Sequence, residues 1–326
     1  MIRYLPYVFL AFSLCVFGCS KSENKIDIPK TKPEPEQNVK KVKSEYKITS
    51  FAVVDRDADQ IYPGKIVKMQ GEGDEIQKID FNDYKKLPVI ISSALKIQDK
   101  PSYKDIPDFM KIETYLLNNT RFDGDASASF SGWNAMLDHH ALSWYFTDKQ
   151  ERSRFFKLLA DYKTVKTTIA TTNEVKNFDF TMDLPDKDAL ISEEDIRKAN
   201  DENLCYVSAA YYGKRSVMLV QSQAEEKELR AVLKKLADRE SLSAAEGKLL
   251  EVTSLAVYAR TSAQKDALME KASGKNKILA LYNKTVEFLD QKYANHIYPI
   301  SYHLRKLSDF SGFYPSFDYE YDVIEE

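Results

Sequence analysis

Residues 204–222 read LCYVSAAYYGKRSVMLVQS. The run divides into two strand-like halves, Leu204–Tyr212 and Lys214–Ser222, joined at Gly213. A lone glycine between two such halves reads as a φ > 0 hairpin position. Upstream, Val165, Thr167 and Ile169 alternate with polar residues, and so do Phe178, Phe180 and Met182. That predicts a long β segment ending at Asp183-Leu184-Pro185. Downstream, Leu229, Val232, Leu233 and Leu236 have helical spacing within Glu225–Asp238. Val252–Arg260 reads as a strand, Lys277–Tyr293 as a helix, and Tyr298–Leu304 as a strand. At the C-terminus Phe317, Tyr319, Tyr321 and Val323 alternate with Asp318, Glu320 and Asp322. Towards the N-terminus Ile48–Val54 and Leu87–Ser92 are strand-like, whereas Ser102–Leu117 and Trp133–Tyr162 read as helical. Strands and helices come in blocks without strict βαβ alternation, so the class is α+β with an antiparallel sheet.

Composition narrows the function. The chain has 326 residues, enough for a sizeable core. Lys+Arg total 47 against Asp+Glu 50, a net charge of −3 that gives no electrostatic case for nucleic acid. Ten glycines are too few for Gly-rich phosphate cradles or collagen-like repeats. A mean hydropathy of −0.46 excludes a multi-span helical membrane protein.

The first residues are a targeting signal. Arg3 is the positive n-region, and Leu5–Phe17 is apolar but too short for a comfortable membrane-spanning helix. The stretch ends in Val16-Phe17-Gly18-Cys19, a small residue immediately before a cysteine, which is the bacterial lipoprotein signal. Residues 1–18 are therefore expected to leave, and Cys19 to carry the lipid. Ser20 follows, with no Asp to suggest inner-membrane retention, so the outer membrane or cell surface is the expected destination. Residues 19–46, with Pro29, Pro33 and Pro35 among Lys and Glu, read as a flexible tether, and 47–326 as the folded core. Once Cys15 and Cys19 are accounted for, only Cys205 remains, and it reads as a buried structural thiol.

Catalytic and metal signatures are weak. His139-His140 are adjacent, and two ligands on one helix face need i, i+4 spacing. His296 and His303 have no ligand partners at useful spacing. Asp55-Arg56-Asp57-Ala58-Asp59 has some character of a calcium loop but lacks its Gly and distal Glu, so it reads as a solvated turn. The expectation is no catalytic residues, no metal and no cofactor.

Several short motifs, in order, resemble those of the thiol-activated, cholesterol-dependent cytolysins. Ile61-Tyr62-Pro63-Gly64 resembles that family's "YPG", and Leu87-Pro88-Val89-Ile90-Ile91-Ser92 its "PLTIS". Phe180-Thr181-Met182-Asp183-Leu184-Pro185 is similar to "TVSADLP", and Ala210-Tyr211-Tyr212-Gly213-Lys214 to "AYGR". Tyr298-Pro299-Ile300-Ser301-Tyr302 matches "YPISY" letter for letter. The resemblance implies a MACPF/CDC-type core, a bent, twisted four-stranded antiparallel sheet flanked by two helical clusters. It places those clusters at about residues 144–175 and 262–293, and Gly213 at the turn or hinge between two central strands. It also implies membrane action, with a homo-oligomer or a second pore-forming component as partner.

Three departures shape the functional expectation. The chain stops at Glu326 where the toxins continue into a Trp-rich, cholesterol-sensing β-sandwich, so cholesterol binding is not carried over. The family's Gly-Gly pair appears here as Arg260-Thr261. A barrel strand needs alternate apolar residues, because a charge facing mid-bilayer costs about 2–4 kcal/mol. Phe156, Leu158, Ala160 and Tyr162 alternate in that way, whereas Asp148–Arg154 is polar throughout and reads as a hairpin turn, and Thr261–Lys277 has no such series. Two readings stay open: an oligomerising, pore-forming lipoprotein, and a non-lytic lipid-anchored scaffold.

Overall fold

The computed structural model describes residues 39–71, 77–80, 89–93, 102–103, 127–130, 132–136, 142–143, 145–160, 164–183, 190–199, 204–290 and 296–324. Its strands are β1 (Val39–Lys47), β2 (Phe51–Ala52), β3 (Ile66–Gln70), β4 (Gln77–Asp80), β5 (Val89–Ser93), β6 (Ser102–Tyr103), β7 (Ser127–Phe130), β8 (Asn134–Ala135), β9 (Thr167–Met182), β10 (Leu204–Ser222), β11 (Thr253–Thr261), β12 (Leu268–Ser273), β13 (Ser301–Lys306) and β14 (Ser316–Ile324). The helices are α1 (Lys149–Phe156), α2 (Glu193–Ala199), α3 (Glu226–Ala237), α4 (Ala244–Glu251) and α5 (Lys275–Leu289). No described helix is long and apolar enough to cross a membrane, which says nothing of a β-barrel.

β10 is one uninterrupted strand of 19 residues, so Gly213 is not a hairpin turn. Its length lets it serve as a spine. One edge pairs with β3 through Leu204–Tyr206 and then with β9 through Ala209–Ser222. The other edge pairs with β13 through Cys205–Tyr211 and then with β11 through Lys214–Ser222. Among the described residues the resulting antiparallel sheet has 12 strands, not the expected four, although β12-β11-β10-β9 form a continuous run within it. β1 and β14 make a separate antiparallel ribbon, so Val39–Lys47 is ordered backbone and not tether.

Buried apolar side chains cover both faces. Ile169 and Val220 pack with Leu229, Val232, Leu233 and Leu236 of α3 and Ile278 and Leu281 of α5. On the opposite face Ala170, Val217, Leu219, Ala256 and Tyr258 pack with Tyr145, Phe146 and Phe155. α3 forms as its spacing predicts, with all four of those apolar residues buried. α4 starts at a capping box in which Ser243 and Glu246 satisfy each other's backbone N–H groups at 3.2 and 2.7 Å. Cys205 is a buried free thiol, as expected.

The first helical cluster is much shorter than the sequence suggested. Within Trp133–Tyr162 only Lys149–Phe156 is α-helical among the described residues, and β9 has already begun at Thr167. Asp148 is the cause: its carboxylate accepts the Glu151 N–H at 2.9 Å and starts a new helix. The polar stretch Asp148–Arg154 lies at the start of this helix, as the helical reading of Trp133–Tyr162 expects, and it buries Glu151 and Arg152. The second cluster, 262–293, holds an edge strand as well as a helix, β12 followed by α5. Gly274, at φ 82°, makes the junction between them. The helix expected over Ser102–Leu117 lies mostly outside the described residues; Ser102–Tyr103 is strand.

Candidate functional site: the covered edges of the central sheet

Near the midpoint of β10 one edge passes from β13 to β11, and the other, already paired with β9, is bulged. On the β9 side Tyr212 faces Phe178 while Gly213 faces Lys176, so Asn177 is an extra, bulged residue. A Cβ on Gly213 would stand 1.9 Å from the Val175 carbonyl oxygen and 3.1 Å from the Asn177 nitrogen. Glycine is needed because another backbone occupies the side-chain position. On the opposite edge Ser262, fully buried, joins β11 to the segment entering β13. The Gly213 N–H donates to Ser262 Oγ at 2.6 Å, and the Ser262 N–H donates to the Gly213 carbonyl at 2.8 Å. The Ser262 carbonyl accepts the N–H groups of Ile297 and Tyr298 at 2.8 and 2.9 Å.

The motif residues surround this point in part. Tyr298 is half-buried, Pro299 is buried, and the fully buried Ile300 donates its N–H to the Tyr211 carbonyl at 2.8 Å. β13 itself begins only at Ser301. Asp183 is exposed beyond the end of β9, its N–H on the Ile90 carbonyl at 3.1 Å. Leu184, Pro185 and Cys19 lie outside the described residues, as do His139 and His140.

Both edges of the three-strand unit β9-β10-β11 are covered by shorter strands. β12, of 6 residues, pairs with Ser254–Ala259 of β11, and among the described residues nothing pairs with its outer edge. The β9 edge is covered by pieces of 5, 4 and 2 residues, β5, β7 and β8. Short covering strands bury an edge that would otherwise template pairing with another chain.

Charged side chains fasten these covers. The segment Asp55–Asp59, read from sequence as a solvated turn, is a 3₁₀ turn whose charges reach across the chain. Asp55 Oδ1 accepts from Arg260 Nη1 at 2.7 Å and from the Ala267 N–H at 2.8 Å. Asp59 pairs with Lys265 in the β11–β12 connection. Arg56 donates to Asp148 Oδ2 at 2.5 Å and to Gln150 Oε1 at 2.8 Å, at the start of α1. Asp57 meets Lys78 of β4 at 3.4 Å. Midway along β12, Lys284 of α5 holds Glu270. The turn ties α1 and the β11–β12 connection to one short segment.

Beneath the turn lies a buried charged layer. Arg215 and Arg260 are cross-strand partners, 5% and 0% exposed. Arg215 donates Nη2 to the Tyr145 carbonyl at 2.8 Å and lies 4.0 Å over the Tyr145 ring. Glu151, 4% exposed, has its pKa pushed up to about 7, chiefly by burial, with Arg260 pulling the other way. Burial likewise drives the Tyr258 phenol well above its ordinary range. Glu151 Oε2, Arg260 Nε and Nη2 and Arg215 Nε are buried without a hydrogen-bond partner, and Tyr258 lies beside Glu151. Each unsatisfied group costs the folded state about 1–3 kcal/mol, which favours rearrangements that would satisfy it. Sequence reading missed Asp55, Glu151 and Arg215, whose partners are remote in the chain.

A long antiparallel spine with covered, fastened edges defines a class of fold, and solved structures of cholesterol-dependent cytolysins share it. Listeriolysin O gives a TM-score of 0.67 at 13% identity, covering 87% of this chain and 63% of its own. Suilysin from Streptococcus suis gives 0.63 at 17% identity, covering 87% and 66%. A non-hemolytic pneumolysin from Streptococcus pneumoniae gives 0.66 at 12% identity, covering 87% and 65%. This chain therefore spans less than two thirds of listeriolysin O, and the likeness establishes the fold. No protein-family model and no curated protein matches the sequence.

Proposed function

We propose that this chain is a non-enzymatic, lipid-anchored protein of the bacterial envelope that oligomerises by exchanging the short strands covering its central sheet for the edges of neighbouring copies, and that the oligomer perforates membranes. The supporting observation is the covering itself: β12 occupies the full β11 segment Ser254–Ala259 yet is only 6 residues long. Displacing it exposes an edge whose natural partner is the β9 edge of another copy. The anchor follows from Leu5–Phe17 and Cys19. Burial of Ile169, Ala170, Val217, Val220, Ala256 and Val257 on the two faces gives these strands apolar residues that oligomerisation would uncover.

The second reading, a non-lytic scaffold, draws on Arg260. Its fully buried guanidinium, tied to Asp55, stands where the resemblance places a flexible Gly-Gly pair. A non-hemolytic pneumolysin shares the fold, so fold alone does not decide lysis. The test is dye release from vesicles with and without sterol, paired with a gel for detergent-resistant oligomers. Release with large oligomers supports the proposal. Oligomers without release favour the scaffold, and the absence of both release and oligomers refutes edge exchange. Cys19→Ser should abolish labelling with radioactive palmitate; undiminished labelling would refute the anchor.

A further inference from the structure

A cleft lies on the half of β10 away from the β11–β12 edge. It has a volume of about 230 Å³ and lies where β9, β10 and β13 meet. Thr181, Ala209 and His303 are successive cross-strand partners along its floor. Ser208 is the extra residue of a bulge in β10 opposite β13, and it lines the cleft. Bulges of this kind re-aim a side chain at the cost of ladder regularity. The Ser208 hydroxyl, on a residue 7% exposed, makes only a long bond of 3.4 Å to the His303 carbonyl.

Two walls carry complementary chemistry. On one, Tyr211 Oη lies 3.0 Å from His303 Nδ1. Burial pushes the Tyr211 phenol up to about 12 and the His303 imidazole down to about 4, so both are neutral at physiological pH. One hydrogen bond joins the two, its direction set by the imidazole tautomer, and Nε2 is left as a further donor or acceptor. On the other wall, Arg305 spends Nη1 on the Phe310 carbonyl at 2.9 Å, and no carboxylate among the described residues pairs with it. Tyr314 closes this side with its ring 47% exposed. A Cβ on Gly312 would come within 2.3 Å of that ring, so Gly312 is what allows the ring to lie there.

The geometry points to this cleft as a binding site for a single sugar ring carrying an acid group, with Arg305 on the acid, Tyr211, His303 and Ser208 on hydroxyls, and Tyr314 against the ring. An unpaired guanidinium with its planar fork suits a carboxylate. Neutral donor–acceptor side chains and a held aromatic face suit a hydroxylated ring better than a bare anion. The volume is below the ~300–1,000 Å³ of clefts that take drug-sized ligands, which limits the occupant to one ring.

The test is calorimetric titration of the full chain, purified in detergent, with glucuronate, glucose and inorganic phosphate. Glucuronate is expected to bind at least about tenfold more tightly than glucose or phosphate. Arg305→Gln should bring glucuronate down to the glucose level. Tyr314→Ala, at an exposed position, should weaken both sugars and leave phosphate unchanged, and it decides the matter if the arginine variant does not fold. The inference is overturned if phosphate binds as tightly as glucuronate, if no probe binds saturably, or if both variants bind glucuronate like the parent.

Discussion

Removing the carboxylate of Asp55 should uncouple the edge strand from the rest of the fold. Asp55→Ala leaves Arg260, at 0% exposure, with no carboxylate on Nη1, and Nε and Nη2 already lack partners. Breaking one side of a buried pair costs about 3–5 kcal/mol. The Asp55 side chain is 26% exposed, so the lower end applies, about 3 kcal/mol. The Ala267 N–H also loses its acceptor, which adds up to about 1 kcal/mol. At about 2–4 °C per kcal/mol for a domain of this size, Tm should fall by about 6–16 °C. Arg260→Met alone should cost far less, because Asp55 can rehydrate, and the double variant should recover most of the loss. Urea unfolding of the two single variants and the double variant closes a cycle with a coupling of about 2 kcal/mol or more. Hydrogen exchange should show Leu268–Ser273 losing protection before β10 does. The reasoning fails if Asp55→Ala costs under about 1 kcal/mol, or if the double variant is as unstable as Asp55→Ala.

Gly213→Ala should destabilise by about 3 kcal/mol in urea unfolding, since the added carbon would meet the Val175 carbonyl oxygen at 1.9 Å and only β9 backbone can give way; a change under about 1 kcal/mol would show the strands are free to part there. Glu151 has a pKa raised to about 7 from the ordinary 4.5, so the folded state prefers it protonated. Its stabilisation is full below pH 4.5 and is lost as pH rises to about 7, a swing of about 3 kcal/mol. Glu151→Gln should therefore flatten the pH–stability profile across that window and be the more stable form at pH 8, and an unchanged profile would contradict the assignment. Lys265→Ala removes a solvent-screened ion pair with Asp59 and should leave the thermal unfolding midpoint close to that of the parent, whereas a loss like that of Asp55→Ala would move the fastening to the turn's surface pairs.

How far this was legible differs from element to element. α3, β11 and β14 were readable because each declares itself locally, by spacing or alternation, and each lies close to its predicted bounds. Gly213 was located but given the wrong geometry. A lone glycine between two β runs is compatible with a turn, and only the neighbouring Val175 carbonyl shows that it sits inside one strand. β9 is buried on both faces over Thr167–Thr171 and on alternate residues from Phe178 to Met182, so the burial pattern does not announce the bulge at Asn177, which the register with β10 reveals. The end of the tether was misplaced for a similar reason. Val39–Lys47 is polar enough to resemble a linker, and it becomes a strand by pairing with β14 at the far end of the chain.

Sequence alone determined where α3, β11 and β14 lie and the order of motifs that resemble a cytolysin core. These are properties of short stretches, set by periodicity, propensity and local caps. Tertiary structure alone decided which edges are covered, where β10 changes partners, and why Arg260 is held by Asp55, 205 positions away. Charges in Asp55–Asp59 look like any solvated turn until their partners are brought up by the sheet. Their energetic weight comes from burial and from partners far away in the chain, and neither is encoded in the neighbouring residues.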